Sequence, residues 1–171
     1  MFVIWLTGPS GAGKTVLARN LYECIARKGY RVEVLDGDEI RRTLYPNLGF
    51  DRESREMHNR VVIHMAKILS RNGIIAIVSL ISPYKRVRDT ARQEIGKFIE
   101  VYLRCSLEER IRRDPKGLYA KAIRGKIKDL TGYDGIYEEP ENPEVIVDTD
   151  KMSVDDEVRM VMEKARELGY L

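Results

Sequence analysis

Short apolar runs alternate with amphipathic stretches along the 171 residues of the chain. Phe2-Val3-Ile4-Trp5-Leu6, Arg31 to Leu35, Ile74 to Val78, Phe98 to Leu103 and Val145 to Asp148 read as strands. Ile74-Ile75-Ala76-Ile77-Val78 is apolar at every position, the mark of a strand buried on both faces of a parallel sheet. From Val16 to Lys28 the apolar residues Val16, Leu17, Leu21, Cys24 and Ile25 recur at helical spacing, and Gly29 closes the helix. Glu39 to Leu44 predicts a short helix stopped by Pro46, Arg52 to Asn72 a long one, and Arg86 to Ile95 a basic one. Ser106-Leu107-Glu108-Glu109 is a capping box that starts another helix, and Ser153 caps the last, which ends near Gly169. Arg104 to Lys128 carries nine Lys or Arg against three acids, broken by Asp114-Pro115 and two glycines. That composition predicts a mobile basic flap rather than a packed element. Thr131 to Pro143, rich in Gly, Pro, Asp and Glu, reads as loop. Strands alternating with helices predict an α/β fold, a five-stranded parallel sheet between two helical layers. Residues 1–171 are expected to form a single domain.

Composition changes this picture little. The chain is 43% hydrophobic and 33% charged, with a net charge of +3, which favours a small anionic ligand over a nucleic-acid surface. Cys24 and Cys105 lie on different elements without metal spacing and read as buried free thiols of a reducing compartment. The first strand begins at residue 2, so a signal peptide has no room. No apolar run is long enough for a membrane span, and the expected location is cytoplasmic.

The chemistry enters between the first strand and the first helix, at Gly8-Pro9-Ser10-Gly11-Ala12-Gly13-Lys14-Thr15. Two glycines four residues apart followed by Lys-Thr match the P-loop pattern, in the strand-then-helix context that it requires. Glycines let successive N–H groups turn toward a phosphate, and the helix N-terminus adds positive partial charge. Lys14 suits the β- and γ-phosphates of ATP, and the Thr15 hydroxyl suits Mg²⁺. The second strand ends in Asp36-Gly37-Asp38, at the sheet edge where functional groups of open α/β folds gather. Asp36 is a candidate to hold Mg²⁺ through water, and Asp38 to orient or deprotonate an acceptor hydroxyl. Helix capping is the structural alternative for this pair.

Among P-loop proteins, a switch GTPase needs an Asn-Lys-x-Asp segment, and the chain has none. Asp129-Leu130-Thr131-Gly132 matches the Asp-x-x-Gly switch pattern but sits in loop, not at the end of an apolar strand. No strand ends in the adjacent acids usual for motor ATPases. A nucleic-acid binder would interleave its basic residues with stacking aromatics, and only Tyr102 and Tyr119 lie near the basic stretch. A small kinase fits best, with basic flaps that exclude water from its acceptor site.

An ordered set of further stretches narrows the kinase. They are Leu35-Asp36-Gly37-Asp38 with Arg41, Leu48-Gly49-Phe50, Ser79 to Tyr84, Arg113 to Tyr119, Thr131-Gly132-Tyr133-Asp134 and Tyr137-Glu138. With them the chain resembles the adenylylsulfate (APS) kinase family over nearly its whole length. The resemblance implies transfer of the ATP γ-phosphoryl group to the 3′-hydroxyl of APS, giving 3′-phosphoadenylyl sulfate (PAPS) for sulfate assimilation. It implies that Arg41 and Arg55 grip the phosphosulfate, that Phe50 stacks on the acceptor adenine, and that Ile81, Ser82 and Lys116 contact the acceptor. It also nominates Ser82 as a phosphorylated relay, a role that needs a neighbouring base, which the sequence does not identify. Kinases of this kind are often dimers. Two positions depart from the family pattern: His58 stands where the family has an acceptor-reading Asn, and Leu130 where it has a Phe. Both are expected to modify acceptor affinity. Neither His58 nor His64 suggests a metal site, because their spacing of six puts them on different helix faces.

Overall fold

The computed structural model describes residues 1–171. Five parallel strands are joined by helices: β1 (Val3–Thr7), β2 (Val32–Asp36), β3 (Ile75–Ser79), β4 (Phe98–Arg104) and β5 (Val145–Asp148). The sheet order is β2-β3-β1-β4-β5, with Val3 opposite both Ala76 of β3 and Phe98 of β4. The central strand β1 therefore has neighbours on both edges, and all five of its residues are buried.

Alternation along the central strands builds two separate cores. Phe2, Ile4, Leu6, Ile75, Ile77, Ile99 and Val101 point to one face. There they meet Leu17, Leu21 and Ile25 of α1 (Lys14–Arg27) and Val161 and Met162 of α7 (Val154–Glu167). Val3, Trp5, Ala76 and Val78 point to the other, against Val62, Ile63 and Ala66 of α3 (Arg52–Arg71) and Val87 and Ala91 of α4 (Lys85–Ile95). This is the period of two in a strand covered on both sides. The short α2 (Gly37–Leu44) follows β2 directly, capped by Asp36.

Glu100, in the middle of β4, breaks the apolar pattern of the second face. It is 7% exposed and pairs with Arg88 of α4, 2% exposed, at 2.9 Å. Arg88 also donates to the carbonyls of Ser82 and Glu138, each at 2.6 Å. A buried charge without its partner costs roughly 3–5 kcal/mol, so this pair ties α4, β4 and two loops together.

The basic stretch 104–128 differs from expectation. It holds two helices, α5 (Leu107–Arg113) and α6 (Leu118–Ile123), and it is packed. Tyr119 is fully buried, and its hydroxyl donates to the Ser10 carbonyl at 2.6 Å. Arg110, 7% exposed, donates to that hydroxyl and to the Gly132 carbonyl. Charge counting missed this because two buried side chains, not the average composition, dock the segment. Ser106 caps α5 as expected. Both cysteines are free, with Cys105 buried and Cys24 only half-buried. No helix is long and apolar enough to cross a membrane.

Candidate active site

The P-loop leaves β1 and runs into α1 at the carboxyl edge of the sheet. Its conformation needs glycine at two places: Gly11 and Gly13 have φ of 78° and 99°, in the left-handed region. At Gly8 the need is space, since a Cβ there would lie 2.9 Å from the Leu103 carbonyl oxygen. Pro9 and Ala12 shape the turn, with an Ala12 to Pro9 backbone hydrogen bond of 3.3 Å. Lys14 Nζ donates to the Gly8 and Pro9 carbonyls at 2.6 and 2.8 Å. Burial, reinforced by the positive charge of Lys116, lowers its pKa to about 7.

A cavity of about 620 Å³ lies over this loop. Ser10, Gly11, Gly13, Lys14 and Thr15 form its middle, and the sheet order gives it two wings. The β2–β3 side supplies Asp36, Asp38, Arg41, Phe50, Arg55, His58, Asn59, Ile81 and Ser82, with Lys116 reaching in from the segment between α5 and α6. The β4–β5 side supplies Arg113, Thr149, Met152, Val154 and Glu157.

On the first wing, Asp36 Oδ1 accepts from the N–H groups of Asp38 and Glu39 at 2.9 and 3.1 Å. It is thus the N-cap of α2 as well as a wall of the cavity. Gly37, the first residue of α2, packs closely on the end of β3: a Cβ there would lie 2.3 Å from Leu80 Cδ1 and 3.3 Å from the Ser79 carbonyl oxygen. Asp38 pairs with Lys116 across the cavity. Burial raises its carboxyl pKa, but the Lys116 hydrogen bond and charge outweigh this and hold it below the usual value. Asp38 is ionised at neutral pH.

Phe50 is 68% exposed, so it is not a core residue. The Arg41 guanidinium lies 4.2 Å from its ring centroid and donates to the carbonyls of Leu48 and Gly49. Arg55 donates to Thr131 Oγ1 at 2.6 Å and to the Asp129 carbonyl at 3.0 Å. Neither arginine is a freely solvated helix-face charge. Leu130, between those two Arg55 partners, is buried and does not line the cavity.

His58 is 6% exposed and faces the cavity. Its Nδ1 bonds the Tyr45 hydroxyl, and burial, then the Arg41 charge, lowers its pKa to about 4. The imidazole is neutral at pH 7. Asn59, one position on, is 2% exposed and also lines the cavity; its Nδ2 donates to the Arg55 carbonyl, while Oδ1 has no partner. Ser82 is 1% exposed with φ of 46°, a conformation uncommon outside glycine. Its Oγ accepts from the Trp5 indole N–H at 3.0 Å, and Arg88 holds its carbonyl. No basic side chain is hydrogen-bonded to that hydroxyl.

The second wing went unassigned by sequence reasoning. Arg113 donates to the Thr149 carbonyl at 2.7 Å and to Glu109 at 2.8 Å, and its Nη1 lies 3.5 Å from the Gly11 carbonyl. Glu157 is 4% exposed, and burial raises its carboxyl pKa to about 7. No short motif marks these residues, and Glu157 is one of three acids in the first turn of α7 that only burial in the fold tells apart.

The Lys-Thr P-loop at the carboxyl edge of a parallel sheet, with an aspartate across a shared cavity, defines a P-loop kinase. The family model for adenylylsulphate kinase matches residues 1–148. The chain is 69% identical over 170 residues to a probable adenylyl-sulfate kinase of Pyrococcus abyssi, covering 99% of this chain and 98% of that one. The APS kinase of Mycobacterium tuberculosis, solved in complex with AMPPNP and APS, superposes with a TM-score of 0.92 at 36% identity. That match covers 96% of this chain and 97% of the other. A hexameric APS kinase from Thiobacillus denitrificans superposes with a TM-score of 0.74 at 32% identity, over 99% of this chain and 29% of that one. The chain belongs to the adenylylsulfate kinase family.

Proposed function

We propose that this protein phosphorylates the 3′-hydroxyl of adenylyl sulfate with ATP, giving PAPS and ADP, for sulfate assimilation in the cytoplasm. The observation that carries the reading is one cavity with a P-loop at its centre and Asp38, Arg41, Phe50 and Lys116 on one wing. ATP places its triphosphate on the P-loop, where Lys14 neutralises developing charge. APS occupies the first wing, with Phe50 against its adenine, Arg41 and Arg55 toward its phosphosulfate, and His58, Ile81, Ser82 and Lys116 around it. Leu130 acts from behind the wall, through the loop held by Arg55.

In the transfer, the ribose 3′-oxygen forms a bond to the γ-phosphorus while the bond from that phosphorus to the β–γ bridging oxygen breaks. ADP leaves with the electron pair, and the hydroxyl proton passes to the Asp38 carboxylate. Phosphoryl transfer of this kind needs positioning and charge more than a strong base, which suits an aspartate kept ionised by Lys116. A phosphoserine relay through Ser82 is disfavoured, because its hydroxyl meets an indole donor and no base. Ser82 acts as an acceptor contact.

Thr15 and Asp36 are hard oxygen donors on the cavity wall, and the fold has no cluster of three or more His, Cys, Asp or Glu for a metal. Few protein ligands with room for water and phosphate oxygens are what Mg²⁺ takes. These two residues would hold Mg²⁺, which supplies charge neutralisation between the phosphates when bound. Residues 1–171 act as one catalytic unit on a small molecule, not a nucleic acid or a membrane. The hexameric Thiobacillus relative supports self-association, a homodimer being the simplest case.

The test is incubation with ATP, Mg²⁺ and APS, following ADP and PAPS by chromatography, with AMP, dephospho-coenzyme A and gluconate as parallel acceptors. Conversion of APS alone is expected. Conversion of another acceptor in its place would reject the assignment.

A further inference from the structure

Glu157 is the one cavity-lining carboxylate whose burial has no local explanation. It sits in the first turn of α7 and is 4% exposed; its carboxylate oxygens engage no protein group and keep some exposure, on a side chain that lines the cavity. A buried ionisable group without a partner is costly, and its pKa of about 7 reflects that cost. The charge of Arg113 offsets only part of it. The proposed function does not use this residue.

Its surroundings say what it faces. Val16, Met152 and Val154 are apolar, and Arg113 brings a planar guanidinium held by Thr149 and Glu109. Apolar side chains and a guanidinium plane suit the faces of an aromatic ring. This wing lies on the β4–β5 side of the P-loop, opposite the wing of Asp38 and Phe50. With a triphosphate on the P-loop and the acceptor on the first wing, the second wing is left for the donor's base. A lone carboxylate there is a hydrogen-bond acceptor awaiting an N–H group. Adenine offers one in its exocyclic amino group.

We infer that Glu157 reads the exocyclic amino group of the donor nucleotide's base and selects an aminopurine triphosphate on the second wing. The inference rests on the proposed reaction and adds a specificity residue to it. A hydrogen bond to a largely desolvated carboxyl group discriminates against an analogue that lacks the donor, because the analogue leaves that group unpaired.

The probe is purine riboside triphosphate, which keeps the ring and lacks the amino group. The wild type is expected to show a donor KM on the order of tenfold or more lower for ATP than for this analogue. Glu157→Met keeps the volume and removes the acceptor, so the two donor KM values should converge to within about twofold. Glu157→Gln, whose amide oxygen still accepts, should retain more of the preference than Glu157→Met. The KM for APS should not follow these changes. Equal KM values for both nucleotides in the wild type, or an undiminished preference in Glu157→Met, would overturn the inference. If the wild type makes no PAPS, the proposed reaction fails by itself. Thermal-shift titration with each triphosphate then still reads the preference and whether Glu157→Met loses it.

Discussion

The two wings of the cavity are built by different means. The acceptor wing is assembled from side chains that mostly hydrogen-bond within the protein: Asp38 to Lys116, Arg41 to Leu48 and Gly49, Arg55 to Thr131 and Asp129, His58 to Tyr45. The donor wing is an apolar patch with one guanidinium and one unpartnered acid. The first is therefore preorganised by the fold. The second obtains its polar complement from the ligand. Preorganisation places the reacting hydroxyl, where small displacements are expensive, whereas a base remote from the transferred phosphoryl needs only recognition.

The contrast can be broken in order of effect. Lys14 lies between the wings, and Lys14→Ala should lower kcat by roughly 10²–10³-fold, the scale for one charge-stabilising donor. Steady-state rates at saturating ATP check this, and near-normal turnover would remove Lys14 from the chemistry. Asp38→Asn should lower kcat by roughly 10²-fold while the dissociation constant for ATP, read by calorimetry, stays close to wild type. A pure loss of ATP affinity would move Asp38 to the donor side.

A crossed pair tests the wings themselves. Phe50→Ala should raise the KM for APS by roughly tenfold, the scale of one base–aromatic stack, with no change in Tm because the ring is 68% exposed. Arg113→Ala should instead raise the KM for ATP several-fold and spare that for APS. If each variant moved both constants equally, the division of the cavity would be wrong.

The pH dependence is the smallest expected effect. Lys14 in the free protein titrates at about 7, and the phosphates of ATP favour its charged form. ATP affinity should therefore be full below pH 7, weaken as pH rises above it, and be accompanied by proton uptake. Calorimetry at pH 6.5 and 8.5 in buffers of different ionisation enthalpy measures both, and a flat profile without uptake would reject the shift. The same shift has a stability consequence. Between about pH 7 and 10.5 the unfolded chain binds this proton more tightly than the folded one, so stability without ATP rises with pH over that window. Below pH 7 both states carry the proton and the slope vanishes.

Much of this was legible in the residues. All five strands lie within one residue of the expected bounds. For β1 and β3 the reason is that a run apolar at every position has few alternatives to a buried parallel strand. For the others it is that short clusters of β-branched and aromatic residues lie between turn and helix signals. The P-loop and Asp36-Gly37-Asp38 were readable for a related reason. Their chemistry is local, and backbone conformation and residue type meet within a few positions. Arg41, Phe50, Arg55, His58, Ile81 and Ser82, which family resemblance nominates as acceptor contacts, all line the β2–β3 side of the cavity. Leu130, named the same way, lies behind the wall. Asn59 stands one helical step, a turn of about 100°, beyond His58. The structure nevertheless brings both side chains to the cavity wall.

The chain by itself determined the sheet, the phosphate-binding turn and the acids facing it. Only the tertiary structure decided that Tyr119 and Arg110 dock the basic segment onto Ser10 and Gly132. It alone placed the Arg88–Glu100 pair under Ser82, and set Arg113 and Glu157 opposite the acceptor wing. The physical reason is range. Periodicity and turn chemistry act between neighbours in sequence, whereas burial of an isolated charge depends on what other strands and helices bring to it.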